Sequence, residues 1–279
     1  MTLAPLLAAA LAAAGAPSVE VVPARVRPGE AFLVVVRGTA APPAVRVAGR
    51  ALAPFQTRQG YAAIGGLPVE TPAGPLAITV ALGPPGAGAP PLQGTLQVAA
   101  AEFPERELEV EQRFVEPPPP EVQARIEADH AAFARAFAQP PSPPLFAAPF
   151  AWPRRARVTA GFGERRTLNG VKPSQHYGLD LAGKVGAPIA SSNAGRVVLV
   201  RDCWASGRTV IVWHGAGLYT TYFHLSRTLV REGAHVARGQ RLGLIGKSGR
   251  VSGPHLHWGM KVGDLYVDPR SVLGLPLRF

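Results

Sequence analysis

Glycine and proline punctuate this chain so closely that long regular helices have little room: its 279 residues include 31 Gly and 30 Pro. Both weaken a helix interior, Gly through backbone entropy and Pro through its missing N–H. Short strands between turns are what such spacing favours. Residues 18–100 fit that reading. Phe32-Leu33-Val34-Val35-Val36 is one apolar run, and Leu76, Ile78, Val80 and Leu82 alternate at period two, as do Leu96 and Val98. Pro28-Gly29, Gly65-Gly66, Pro84-Pro85-Gly86 and Pro90-Pro91 separate such runs. The pattern predicts a small, immunoglobulin-like β-sandwich. This stretch contains no His or Cys, so its expected role is positioning, binding or shielding rather than chemistry.

At roughly 150 residues per domain, the length favours two domains. Residues 102–116 alternate Glu105, Glu107, Glu109 and Glu111 with Leu108 and Val110, which predicts a strand with one wet face. Pro117 to Pro120 form a stiff spacer. Val122, Ile126, Phe133 and Phe137 recur at helical spacing, predicting one amphipathic helix over 121–138 that the prolines at 140, 141, 143 and 144 end. His130 on this helix is expected on its flank. From Phe150 onward dense short-strand patterning returns. The chain is therefore expected to be all-β, with a sandwich over 17–116, a Pro-rich linker with a helix over 117–149, and a second β domain over 150–279.

Residues 3–14 are apolar but too short to span a bilayer. Small residues at Ala12, Ala14 and Ala16 suit signal-peptidase cleavage, so 1–16 is expected to be an export signal, placing the protein in the periplasm, the cell envelope or outside the cell. No other segment is long and apolar enough to cross a membrane. Cys203, the only cysteine, excludes an intramolecular disulfide and a Cys-rich zinc site; beside Trp204 it reads as a small core residue. Charge is uneven. Residues 1–150 carry 10 Arg/Lys against 12 Asp/Glu, residues 151–279 carry 19 against 6. A basic half attracts polyanions, among them anionic cell-wall polymer. It offers no recognition helix, zinc finger or RNA-type aromatic motif, so nucleic acid is not an expected partner.

Six of the seven histidines lie beyond residue 150. In His176-Tyr177-Gly178-Leu179-Asp180 the glycines disfavour helix, and in an extended chain positions i and i+4 share a face. Leu179 and Leu181 would then point into the core. His255 and His257 likewise share a face of a strand whose other face is Leu256, Trp258 and Met260. Burying two such histidines without partners costs free energy, so the pattern asks for a metal or for hydrogen bonds. Hydrolytic zinc sites commonly combine three protein ligands with an open position for water. Two imidazoles and a carboxylate would serve, with other histidines free to move protons. His214 and His235 are expected to be structural or exposed.

With Gly161-Phe162-Gly163, Gly186-Ala187-Pro188-Ile189, Gly217-Leu218-Tyr219-Thr220-Thr221-Tyr222-Phe223-His224-Leu225, Gly246-Lys247-Ser248-Gly249 and Gly253-Pro254-His255-Leu256-His257-Trp258 added to the His-x-x-x-Asp motif, residues 150–272 resemble the M23 family of zinc peptidases, the LytM or lysostaphin-type endopeptidases of bacterial cell walls. The resemblance implies an antiparallel β-sandwich with a groove over the metal. It makes His176, Asp180 and His257 the Zn2+ ligands, and His224 and His255 the catalytic histidines. It implies hydrolysis of peptide bonds in peptidoglycan through a metal-activated water. Degenerate relatives that lost ligands act as amidase activators, so a non-catalytic wall-binding or activating protein is the alternative; the intact set here argues against it. The sequence leaves open which crosslink is cut, whether the N-terminal part or the linker covers the groove, and the oligomeric state.

Overall fold

The structure, a computed structural model, describes residues 16–83 and 90–278. Apart from Ala16, the expected export segment 1–16 lies outside the described residues, as do Pro84-Pro85-Gly86. The described residues are all-β apart from two helices and a 3-10 turn. A four-stranded antiparallel sheet has the spatial order Ser18–Val22, Ala31–Arg37, Gly60–Gly66, Pro54–Thr57. A five-stranded sheet has the order Arg25–Val26, Leu92–Val98, Gly74–Ala81, Ala44–Val47, Arg50–Leu52. Phe32, Val34, Val36 and Ala63 of the first sheet pack with Ile78, Val80 and Leu96 of the second.

The run Phe32–Val36 does not alternate because both of its faces are covered. Leu33, with Ala62 and Ile64 of the neighbouring strand, packs into a different core that contains Leu179, Met260 and Val267. The N-terminal sheets are thus fused to the C-terminal part. Asp268 donates its N–H to the Gly29 carbonyl at 2.7 Å, and Ser271 Oγ accepts from the Ala31 N–H at 2.9 Å. A Cβ on Gly66 would stand 2.5 Å from Val267 Cγ1, a contact only glycine permits.

The C-terminal part is built on a ten-stranded sheet. Its continuous path runs Val158–Ala160, Leu179–Ala182, His255–Val262, Leu218–Thr228, Gly207–Trp213, Gly195–Cys203, His235–Val236, every pair antiparallel. Leu179, Leu181, Leu256, Trp258 and Met260 are all fully buried on one side, as their alternation predicts. Alternation along Gly207–Trp213 serves two layers: Val210 and Val212 join that core, while Ile211 and Trp213 face the helix. The helix spans Pro120–Phe137 and begins with prolines that need no N–H partner. Ala132, Ala136, Phe133 and Phe137 pack on Leu199, Ile211, Trp213 and Tyr219. Asp129 pins the helix down, its carboxylate accepting from Arg201 Nε at 2.6 Å and from the Trp204 N–H at 2.7 Å. His130 is exposed, as expected of a flank residue.

The acidic alternation at 102–116 produces a shorter strand than it suggests. Only Glu105–Leu108 is extended, and it pairs in parallel with Arg165–Leu168, whose other neighbour is Lys172–Gln175. Asn169 ends the ladder: its Oδ1 accepts from the Val110 N–H at 2.8 Å and its Nδ2 donates to the Val110 carbonyl at 3.0 Å. The chain then turns, and Phe114 is buried against Trp204 with ring centroids 5.1 Å apart.

Candidate metal centre

Three adjacent strands set the site through their register. Asp180 lies directly opposite His257, and His257 directly opposite Phe223. The side chains of all three rise on the face away from the core. His176 arrives differently. Residues 176–178 are not strand, so His176 and Asp180 do not share a continuous extended face as expected. A bend at Gly178 brings them together. A Cβ there would stand 2.7 Å from His257 Nε2 and 2.8 Å from the Trp258 carbonyl, so Gly178 is where the backbone makes room for the His257 ring.

His176 Nε2 lies 2.9 Å from Asp180 Oδ1 and 2.9 Å from His257 Nδ1, and His257 Nδ1 lies 3.0 Å from Asp180 Oδ1. All three residues are buried. His176 Nδ1 faces the Gly161 carbonyl at 2.6 Å. A carbonyl only accepts, so this nitrogen carries the proton and Nε2 of the neutral ring is a bare lone pair. Three lone-pair atoms therefore meet with at most one proton, on His257 Nδ1, between them. Such a cluster of acceptors is a cation site by its own electrostatics. Two imidazole nitrogens and one carboxylate oxygen suit zinc, whose tetrahedral ligand atoms sit about 3.3 Å apart; magnesium and calcium prefer all-oxygen shells.

The surroundings hold the donors in their binding forms. Burial on its own would raise Asp180, but the two imidazoles packed against it, His176 and His257, outweigh it and keep the carboxyl well below the usual carboxylate range. Arg166 Nη2 donates to Asp180 Oδ2 at 3.0 Å and Arg166 Nε to Glu164 at 2.7 Å, leaving Oδ1 for the cluster. Burial pushes His257 down to about 4 against the opposing effect of its hydrogen bond to Asp180, so its ring is neutral at neutral pH, as a ligand must be.

His224 owes its position to a β-bulge. The pairing of Leu218–Thr228 with Gly207–Trp213 slips between Tyr222 and Leu225, and His224 has φ of 63°. Tyr222 and Leu225, three apart, are both fully buried in the core. The extra residue turns Phe223 and His224 to the groove side together. His224 Nδ1 donates to the Ser248 carbonyl at 2.9 Å, so Nε2 is its bare nitrogen. Burial, then the neighbouring His255 and His257, hold it well below the ordinary imidazole range. His255 Nδ1 donates to the Gly253 carbonyl at 2.8 Å, and its Nε2 stands 3.5 Å from Asp180 Oδ1. The His224 and His255 rings are 5.0 Å apart. All five histidine and aspartate positions singled out in the sequence line one groove of about 390 Å³, walled on one side by Arg106, Leu108 and Val110.

Several contributors escaped the sequence reading. Arg166 is one of 29 basic residues and has no local signal. Phe223 stacks on His257 with centroids 5.1 Å and planes 10° apart. Ser248 Oγ accepts from the Arg208 N–H and donates to the Leu225 carbonyl, both at 2.9 Å, anchoring the loop that orients His224. A break in alternation at Tyr222-Phe223-His224-Leu225 is the one available hint of the bulge. Other residues fall outside the site. Burial pushes the Cys203 thiol up, in keeping with a core residue. His235 is exposed and His214 fully buried.

The description "Peptidase family M23" matches residues 174–269, a span that contains His176, Asp180, His224, His255 and His257. Peptidoglycan DD-endopeptidase ShyA of Vibrio cholerae is 43% identical over 103 residues, which are 37% of this chain and 24% of that protein. ShyB, a peptidoglycan DD-endopeptidase of the same organism, is 37% identical over 115 residues, 40% of this chain and 26% of that one. The chain thus spans about a quarter of the length of these curated relatives. A Pseudomonas aeruginosa crystal structure described as a peptidase M23 aligns with a TM-score of 0.67 at 28% identity, covering 88% of this chain and 94% of that one. That likeness extends through the N-terminal sheets.

Proposed function

Because residues 174–269 belong to peptidase family M23, we propose that this chain is a zinc-dependent endopeptidase that hydrolyses peptide bonds in bacterial peptidoglycan outside the cytoplasm. The observation that carries the reading is the meeting of His176 Nε2, Asp180 Oδ1 and His257 Nδ1 within 3.0 Å of one another. These three residues would hold the ion, Zn2+. When bound, zinc supplies Lewis acidity, lowering the pKa of a water to about 7 and polarising a carbonyl. The substrate class comes from the relatives named as peptidoglycan DD-endopeptidases. Among the described residues no helix is long and apolar enough to cross a membrane.

The chain's own residues divide the remaining work. Arg166 and the Gly161 carbonyl fix the orientation of Asp180 and His176. His224 and His255 each donate Nδ1–H to a backbone carbonyl and turn a bare Nε2 to the groove. A bare Nε2 accepts the proton that the attacking water loses. Once protonated it donates to the oxyanion or to the leaving amine nitrogen. Two histidines 5.0 Å apart let one accept while the other donates.

A zymogram on purified peptidoglycan, run with metal analysis and chelation, tests this. Clearing that vanishes on chelation and returns with zinc is the expected result. Binding without clearing would favour a wall-binding protein or amidase activator, and zinc-free protein with full activity would refute the metal mechanism.

A further inference from the structure

Arg250 lines the same groove as His224 and His255, on the loop that leads into the His255–Val262 strand. Its backbone is fixed, the N–H donating to the Ala205 carbonyl at 2.7 Å. Its guanidinium is not. Among the described residues no carboxylate or carbonyl oxygen lies within hydrogen-bond or ion-pair distance of it. The nearby acids are engaged elsewhere: Glu164 by Arg166 at 2.7 Å and Arg106 at 3.6 Å, and Asp180 by Arg166 at 3.0 Å. Arg250 is only partly exposed, and both burial and the like charge of Arg166 act against its positive form. A desolvated cation without a counter-charge costs free energy in the free protein. The proposed ion would add positive charge to the same groove.

We propose that Arg250 is a specificity-determining residue that binds a free carboxylate on the residue next to the scissile bond. The inference rests on the peptidase reading above and deepens it. A guanidinium fork matches a carboxylate with two parallel hydrogen bonds, which a neutral amide cannot reproduce. Arg250, His224 and His255 line the same groove, so the carboxylate belongs to a residue that flanks the cleaved bond. This favours an acidic stem-peptide crosslink over a neutral glycine bridge. Substrate binding would supply the counter-charge that the free protein lacks, so the interaction also positions the peptide against His224 and His255.

The test uses the zinc-loaded full chain and two soluble crosslinked peptides identical except beside the scissile bond, one a free acid and the other its carboxamide. The wild type is expected to cleave the acid with kcat/KM roughly tenfold to a hundredfold above the amide, the range for a hydrogen bond to a charged group. Arg250→Gln should bring that ratio close to one, mainly through KM of the acid, and Arg250→Lys should retain part of it. Equal cleavage of both peptides by the wild type overturns the carboxylate site without needing any variant, and so does a ratio that Arg250→Gln leaves intact. Cleavage of neither peptide, or of any peptidoglycan, overturns the peptidase reading and this inference with it.

Discussion

Two buried histidine clusters sit on opposite faces of one sheet and differ in how their protons are counted. His214 is fully enclosed. Its Nδ1 donates to the Ala194 carbonyl at 2.7 Å, and its Nε2 accepts from Thr220 Oγ1 at 2.8 Å. Tyr222 and Ser192 extend the chain of bonds. Each donor there has an acceptor, so the cluster is closed. At His176, Asp180 and His257 three acceptors converge with one proton at most. A closed network of this kind is structure. A proton-poor one needs a cation. Both clusters are buried and both contain histidine, so neither burial nor the presence of histidine alone distinguishes a site from a core.

The sharpest way to break this contrast is to remove one acceptor from the open cluster. Asp180→Asn or His257→Ala should lose bound zinc and lower kcat/KM together by roughly a thousandfold or more, the several kcal/mol that a Lewis acid supplies. Metal analysis beside the cleavage rate checks it. His214→Gln, which alters the closed cluster, should keep its zinc. Zinc retained by Asp180→Asn would mean that the convergence of lone pairs is not a ligand set. The next largest effect separates metal from proton transfer. His224→Ala should bind zinc normally and lose about a hundredfold to ten-thousandfold in kcat.

How much of this was legible depended on whether a relation is local in the chain. The alternation of His255 and His257 with Leu256, Trp258 and Met260 is local, and both faces came out as read. The Pro120–Phe137 helix was legible for the same reason. Register is not local. Nothing near Asp180 announces that it stands opposite His257, or that Arg166 holds its second oxygen. The bulge at His224 and the bend at Gly178 both violate the periodicity on which strand reading relies, and both lie at the site. Assigning His257 rather than His255 to the metal came from family resemblance; spacing left the two equivalent. The run Phe32–Val36 announced a buried strand but not that its second face would lie against the core of the C-terminal part.

The closed cluster makes its own prediction, in stability rather than activity. Burial pushes His214 down to about 4 from an ordinary 6.5. The unfolded chain therefore binds the extra proton first. The contribution to stability is complete above about pH 6.5 and is lost as pH falls from there towards 4. Linkage puts the loss at about 2 kcal/mol between pH 7 and pH 5. His224 and His257 shift in the same direction, so the informative quantity is a difference. Denaturant melts at the two pH values should show a drop in the wild type that is smaller by about this amount in His214→Gln. An unchanged drop would mean that His214 is protonated without penalty and that the cluster is not closed.

The smallest expected effect tests whether the open cluster depends on the frame around it. Ser248 touches no ligand. Its carbonyl receives the His224 Nδ1–H, while its Oγ ties the loop to Arg208 and Leu225. Ser248→Ala removes the ties and leaves the carbonyl. Two neutral hydrogen bonds at a half-buried site contribute about 1 kcal/mol each, part of which water restores, so stability should fall by about 1 kcal/mol. The effect on catalysis follows from orientation. A loop free to shift releases the imidazole from the one rotation in which Nε2 faces the groove, so kcat should fall severalfold with zinc content and KM unchanged. A purely structural role would lower stability and leave kcat of the folded fraction intact. A fall in kcat at full zinc occupancy therefore separates positioning from packing, and an unchanged kcat would place the control of His224 in the bulge alone.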